Sequence, residues 1–179
     1  MSGARHALVT GGGQGIGAAI AQALVARGMN VTVLGRRLGV VQALADTDPA
    51  HLHAVSADVA DAAQVAAAVA SAEARFGPID VLVNNAGQAQ TAPFLKMDLA
   101  LWNQMLSVNL TGTLVCTQAV LPGMVARGWG RVVNVASTAG QGPLVLALAV
   151  GLTILLGQQL RCLHPPAGGI WWDFTTFPE

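Results

Sequence analysis

The chain has 179 residues, 53% hydrophobic and 10% charged, and its 9 basic side chains balance 9 acidic ones. That length suits one domain with a sizeable core, and that composition excludes a disordered or acidic-tail protein. Zero net charge leaves no electrostatic footprint for nucleic acid.

Cys116 and Cys162 make no disulfide framework; they are expected as apolar fillers in a reducing compartment. No signal-peptide pattern precedes Ala7-Leu8-Val9. The longest apolar run, Leu144 to Leu156, is shorter than the ~20 residues of a membrane span. A cytoplasmic chain without a membrane segment is therefore expected.

In chain order, His6 to Val9 reads as a strand running into glycines. Ile16, Ile20 and Leu24 recur every fourth position, predicting the buried face of a helix that stops at Arg27-Gly28. Val31 to Leu34 is a second strand, Leu38 to Ala45 a short helix, and His53 to Ser56 a weaker strand. Asp61 with Gln64 predicts a capping box that opens a helix burying Val65, Val69 and Phe76 and closing at Gly77-Pro78. Ile79 to Val83 is a fourth strand. Asp98 caps a long helix towards Met124, and Arg131 to Ala136 is a fifth strand. Such alternation implies right-handed βαβ crossovers and an α/β fold, a doubly wound parallel sheet buried on both faces.

This pattern covers residues 1–142. The tail, 143–179, differs: it holds four of the eight prolines, and its tryptophans are Trp171 and Trp172. Leu144 to Leu160 reads as one apolar helix, and Pro165-Pro166 and Gly168-Gly169 predict irregular structure beyond it.

Chemistry concentrates at the strand ends. Thr10 to Gly17 reads Thr-Gly-Gly-Gly-Gln-Gly-Ile-Gly between a strand and a helix. Gly11 permits a tight turn, Gly15 a close backbone approach to a pyrophosphate, and Gly17 close helix packing. The helix N-terminus then offers free N–H groups and partial positive charge to phosphates. The next strand ends in Arg36-Arg37, with no carboxylate for a ribose. Guanidinium forks suit a 2′-phosphate, so NADP(H) is expected over NAD(H). Asn84-Asn85-Ala86-Gly87 follows the fourth strand, Asn109 lies within the long helix, and Ser137 ends the fifth strand. No metal-ligand pattern is evident.

Together these motifs resemble the short-chain dehydrogenases/reductases over roughly residues 5–142. The glycine turn supplies Gly11, Gly13, Gln14, Gly15, Ile16 and Gly17. The resemblance implies cofactor contacts from these residues, from Arg36 and Arg37, from Asp58 and Val59 near the adenine, and from Asn85, Ala86 and Gly87. It implies catalytic roles for Asn109, holding a proton-relay water, and Ser137, orienting a substrate oxygen. The wording around Gly130 to Gly140 is most similar to bacterial 3-oxoacyl-thioester reductases and 3-hydroxyacyl-CoA dehydrogenases. The implied activity is hydride transfer between NADP(H) and a ketone or secondary alcohol. Relatives pair through two long helices, of which only the Asp98 stretch is recognisable here. Exposed apolar surface and self-association are therefore expected.

The family pattern breaks at its proton donor. The Tyr position falls near Val150 and the Lys position near Ile154; the chain has no tyrosine, and its only lysine is Lys96. Catalysis by this chain is not expected, and the family's sixth and seventh strands are not recognisable. A frameshift, truncation or altered gene model is the favoured explanation. The alternative is a natural non-catalytic module that binds a dinucleotide or a homologous subunit.

Overall fold

The computed structural model describes residues 4–90, 93–136 and 171–173. In chain order the elements are β1 (His6–Thr10), α1 (Gly15–Val25), β2 (Asn30–Gly35), α2 (Leu38–Ala45), β3 (Leu52–Ser56) and α3 (Ala62–Phe76). Then follow β4 (Val81–Asn84), a 3₁₀ turn (Phe94–Lys96), α4 (Leu99–Leu106), a π-helical turn (Ser107–Thr111), α5 (Gly112–Ala126), β5 (Arg131–Asn134) and β6 (Trp171–Asp173). The strands form one sheet in the order β3-β2-β1-β4-β5-β6, and every pairing is parallel.

Period-two alternation sorts the strand residues onto two faces. Leu8, Leu34, Leu82 and Val132 face one core with Val65, Val69, Val120 and Met124 of α3 and α5. Ala7, Val9, Val31, Val33 and Val83 face the other with Ala21, Val41 and Leu44 of α1 and α2. Helices on both faces explain why every residue of β1 is buried. The strand order reverses at β1, which places a crevice outside the carboxyl ends of β1 and β4.

Several sequence expectations need correction. The tail contains a strand, β6, where irregular structure is expected: Arg131 stands opposite Trp171, and Val133 opposite Asp173. Aromatic Trp171-Trp172 suits a strand, and β5 would otherwise present unpaired backbone groups along that edge. Ile16 is not on the buried face of α1 but 66% exposed; burial falls on Gly17 and Ala21 instead. The capping box is half formed. Asp61 Oδ1 accepts from Ala63 N and Gln64 N, whereas Gln64 Oε1 accepts from Asp58 N at 3.0 Å. The stretch Leu99–Ala126 is one run of 28 residues that contains an 18-residue window of mean hydropathy 1.3, apolar and long enough to cross a membrane by length and composition alone. Its apolar character serves the core on one side, through Cys116, Val120 and Met124. Leu99, Leu114 and Val125 are exposed. Ser137, Cys162 and the helix expected over Leu144 to Leu160 lie outside the described residues.

His6 closes the amino end of the sheet. It is buried, with Nδ1 2.8 Å from Gly77 O and Nε2 2.9 Å from Thr32 Oγ1. A carbonyl only accepts, so Nδ1–H donates, and neutral Nε2 accepts from the Thr32 hydroxyl. Burial lowers the pKa of His6, against smaller raising effects from Gly77, Asp80 and Glu73. Burial, and secondarily Arg75, lowers that of His53. The unfolded chain therefore binds more protons than the folded one below about pH 6.5. Stability is full above that pH and declines as pH falls towards the folded pKa. Thermal melts should show a falling midpoint from pH 7 to pH 5. His6→Gln should melt lower throughout but with a shallower decline. A parent midpoint constant over that range would contradict this account.

Candidate functional site

The two inner strand ends are tied together beneath the crevice. Thr10 Oγ1 donates to Val83 O at 3.3 Å and accepts from Asn85 N and Ala86 N, each at 3.0 Å. Asn85 Nδ2 donates to Thr10 O at 3.0 Å and to Gly11 O at 3.3 Å. One hydroxyl and one amide thus fix the β1 turn against the β4 turn. A small residue is required where they meet, because a Cβ on Gly17 would overlap the Gly11 carbonyl and the Asn85 amide.

Above this floor lies an open cleft of about 760 Å³. Gly11, Gly13, Gln14, Gly15 and Ile16 line it from the glycine turn; Arg36 and Arg37 from the end of β2; Asp58 and Val59 from the end of β3; and Asn85, Ala86 and Gly87 from the end of β4. Of the cofactor residues expected from the sequence, only Gly17 lies beneath the cleft instead of along it. Gly15 has φ +56°, and nothing stands within 4 Å of where its Cβ would be. The α1 backbone is therefore open to whatever enters.

Helix capping differs sharply between the cleft and the rest of the molecule. Asp61 and Asp98 cap α3 and α4 through their carboxylates. The Gln14 side chain caps nothing in α1, nor does Arg37 in α2, and neither helix has an acidic residue in its first turn. Two uncapped helix N-termini thus meet the cleft, leaving N–H groups and positive partial charge towards it. Arg37 Nη2 donates to Gln14 Oε1 at 2.9 Å, spanning the two turns. Ser56 Oγ donates to Arg36 O at 3.2 Å, fixing the β2 end against β3. Asp58 is half-buried, and its Oδ1 accepts from Ala60 N at 3.0 Å. An elongated, anionic ligand fits this combination.

Asn109 stands apart from the cleft wall, within the π turn. Its Oδ1 accepts from Gln88 N and its Nδ2 donates to Gln88 O, both at 2.9 Å. The amide therefore pins the backbone just past Gly87. Each of its side-chain groups makes one of these bonds, which leaves one N–H and one oxygen lone pair of the amide over. Asn84 Nδ2 donates to Asn134 Oδ1 at 2.9 Å and to Thr117 Oγ1 at 3.2 Å, joining β4, β5 and α5. Burial raises the Cys116 thiol to about 12, leaving it inert. Among the described residues, no three metal-ligating side chains gather.

Sequence reading missed Val40, Val41, Ala57 and Val108, which also line the cleft. Ala57 directly precedes Asp58, and Val40 and Val41 open the helix after Arg37, so adjacency was the available signal. Val108 directly precedes Asn109 and carries the same signal, although it lies in the π turn.

A family model for short chain dehydrogenases matches residues 5–149. The chain belongs to the short-chain dehydrogenase/reductase family, an oxidoreductase family with a Rossmann-type NAD(P)-binding fold. It is 43% identical over 136 residues to D-threitol dehydrogenase of Mycolicibacterium smegmatis, covering 74% of this chain and 52% of that protein. It is 40% identical over 147 residues to the NADP-dependent 3-hydroxy acid dehydrogenase YdfG of Salmonella typhi, covering 82% and 59%. A crystal structure of a short-chain dehydrogenase from Streptomyces avermitilis superposes with a TM-score of 0.87 at 34% identity, covering 96% of this chain and 65% of that one. The chain thus spans little more than half the length of these two curated relatives.

Proposed function

We propose that the cleft binds NADP(H) in preference to NAD(H). On this reading the chain is the dinucleotide-binding part of an oxidoreductase acting between ketones and secondary alcohols. The carrying observation is the end of β2: Arg36 and Arg37 line the cleft there beside an uncapped helix N-terminus. Placed over the glycine turn, that end faces the adenosine ribose of a dinucleotide. A carboxylate there would favour a free 2′-hydroxyl; two guanidinium groups favour a 2′-phosphate.

The residues present fit the cofactor. Gly15 leaves an open backbone surface for a pyrophosphate, and the first turn of α1 supplies unshared N–H groups. Asp58 and Val59 would border the adenine, and Asn85, Ala86 and Gly87 would lead towards the nicotinamide. Bound nicotinamide supplies or accepts the hydride. Asn109 holds the Gln88 backbone at that end of the cleft, and Ser137 is assigned to the substrate oxygen.

The substrate class we assign is 3-oxoacyl or 3-hydroxyacyl compounds, thioesters included. Similarity to a relative named for 3-hydroxy acids supports it. The reading also includes a cytoplasmic location and a second copy of the chain as partner through Leu99–Ala126. Absence of tyrosine supports a further element: this chain alone binds without completing the reaction.

Calorimetric titration tests the cofactor assignment. Charge-assisted hydrogen bonds to a phosphate contribute about 1.5–3 kcal/mol, so NADP⁺ should bind at least roughly tenfold more tightly than NAD⁺. The double variant Arg36→Asp, Arg37→Asp should reverse the order. Equal affinities in the parent would overturn the assignment.

A further inference from the structure

We infer that Gly112 is a positioning residue for the adenine end of the cleft, acting through Val59. The inference rests on the dinucleotide reading above and deepens it.

Gly112 has φ −60° and ψ −40°, ordinary helical geometry that any residue adopts. Nothing in the backbone calls for glycine, and glycine in a helix costs about 1 kcal/mol relative to alanine. The reason is spatial. A Cβ on Gly112 would stand 2.6 Å from Val59 Cγ2 and 3.0 Å from Val59 Cβ. Val59 sits directly against the bare helix backbone, 5% exposed.

Val59 also lines the cleft, at the end of β3, and Val108 lines it from the π turn that leads into Gly112. One helix segment therefore contributes one wall residue and seats the other. The strand order puts Val59, just past β3, beyond β2, on the side away from β4. In a doubly wound sheet the ribose lies at the end of the second strand, so the base lies past it, between β2 and β3.

Val59 belongs to the same buried cluster as Val65, Ala68 and Val108. A methyl group added at Gly112 leaves Val59 one open direction, into the cleft. The adenine end narrows, while the glycine turn and Arg36 and Arg37 stay in place. A tight seat of this kind makes the pocket selective for a flat, unsubstituted base edge.

Calorimetric titration of the full chain tests this with NADP⁺ and with its 1,N⁶-etheno-adenine analogue. Gly112→Ala should weaken NADP⁺ about tenfold, the scale of an overpacked wall. Adding Val59→Ala to Gly112→Ala should recover most of that loss, which a general destabilisation would not. Val59→Ala alone should lower the parent's discrimination against the etheno analogue about tenfold. Unchanged NADP⁺ affinity in a folded Gly112→Ala overturns the inference and leaves the cofactor reading intact. A parent that binds neither NADP⁺ nor NAD⁺ overturns both. Should Gly112→Ala fail to fold, Val59→Ala decides: unchanged discrimination against the etheno analogue overturns the inference.

Discussion

Gly17→Ala should lower the thermal midpoint and weaken dinucleotide binding, although alanine is the better helix former. In an open helix the exchange gains about 1 kcal/mol. At Gly17 the new methyl would stand 2.9 Å from the Gly11 carbonyl carbon and 2.5 Å from Asn85 Nδ2. Backbone yields less than a flexible side chain, so the overpacking cost lies at the upper end of the usual range, about 3 kcal/mol. The net loss is about 2 kcal/mol, or roughly 4–8 °C in midpoint for a chain of this size. Asn85 would be pushed from its bonds to Thr10 O and Gly11 O, loosening the turn that forms the cleft floor. Gly39 provides the control. It lies in α2 with nothing within 4 Å of its Cβ position. Gly39→Ala should hold or raise the midpoint. A Gly17→Ala variant that melts at or above the parent would remove the close-packing account of this glycine.

The parts of the site most legible in the sequence are those where backbone geometry dictates residue type. Gly11 and Gly17 are readable because no side chain fits there, and Arg36-Arg37 because its position follows from the end of a recognisable strand. Asn109 is legible as a polar group within an apolar helix, half-buried in the structure, yet its partner is not. The bond to Gln88 depends on the π turn, which leaves no mark in residue periodicity. The capping box misled for a related reason: Gln64 reaches the Asp58 N–H of the preceding turn rather than Asp61 N–H. Ile16 follows the helical period but sits in the first turn, where the helix projects past the sheet into the cleft. β6 was obscured by the prolines and glycines before it, because pairing to the edge of β5 is a tertiary effect.

With NADPH bound, the 179-residue chain should still oxidise none of it above background when offered an acetoacetyl thioester or a simple ketone. Reduction of a carbonyl places negative charge on oxygen, and a positioned acid contributes about 10²- to 10⁴-fold by supplying a proton there. The chain has no tyrosine, and its single lysine, Lys96, lies in the 3₁₀ turn before α4. Among the described residues, the ionisable groups lining the cleft are Arg36, Arg37 and Asp58, all on the adenosine side. His6 is buried beside Gly77 and Asp80, at the amino end of the strands. Cys116, held near 12, gives up no proton at neutral pH. Ser137 can donate a hydrogen bond, but a serine hydroxyl releases no proton at neutral pH. Measuring cofactor occupancy alongside turnover separates the two requirements: a filled cleft with no turnover isolates the missing proton donor. Continuing the chain from Gly142 with a relative's Tyr-x-x-x-Lys segment and following strands should restore reduction. NADPH oxidation by the chain as it stands, abolished by Ser137→Ala, would mean that another group delivers the proton.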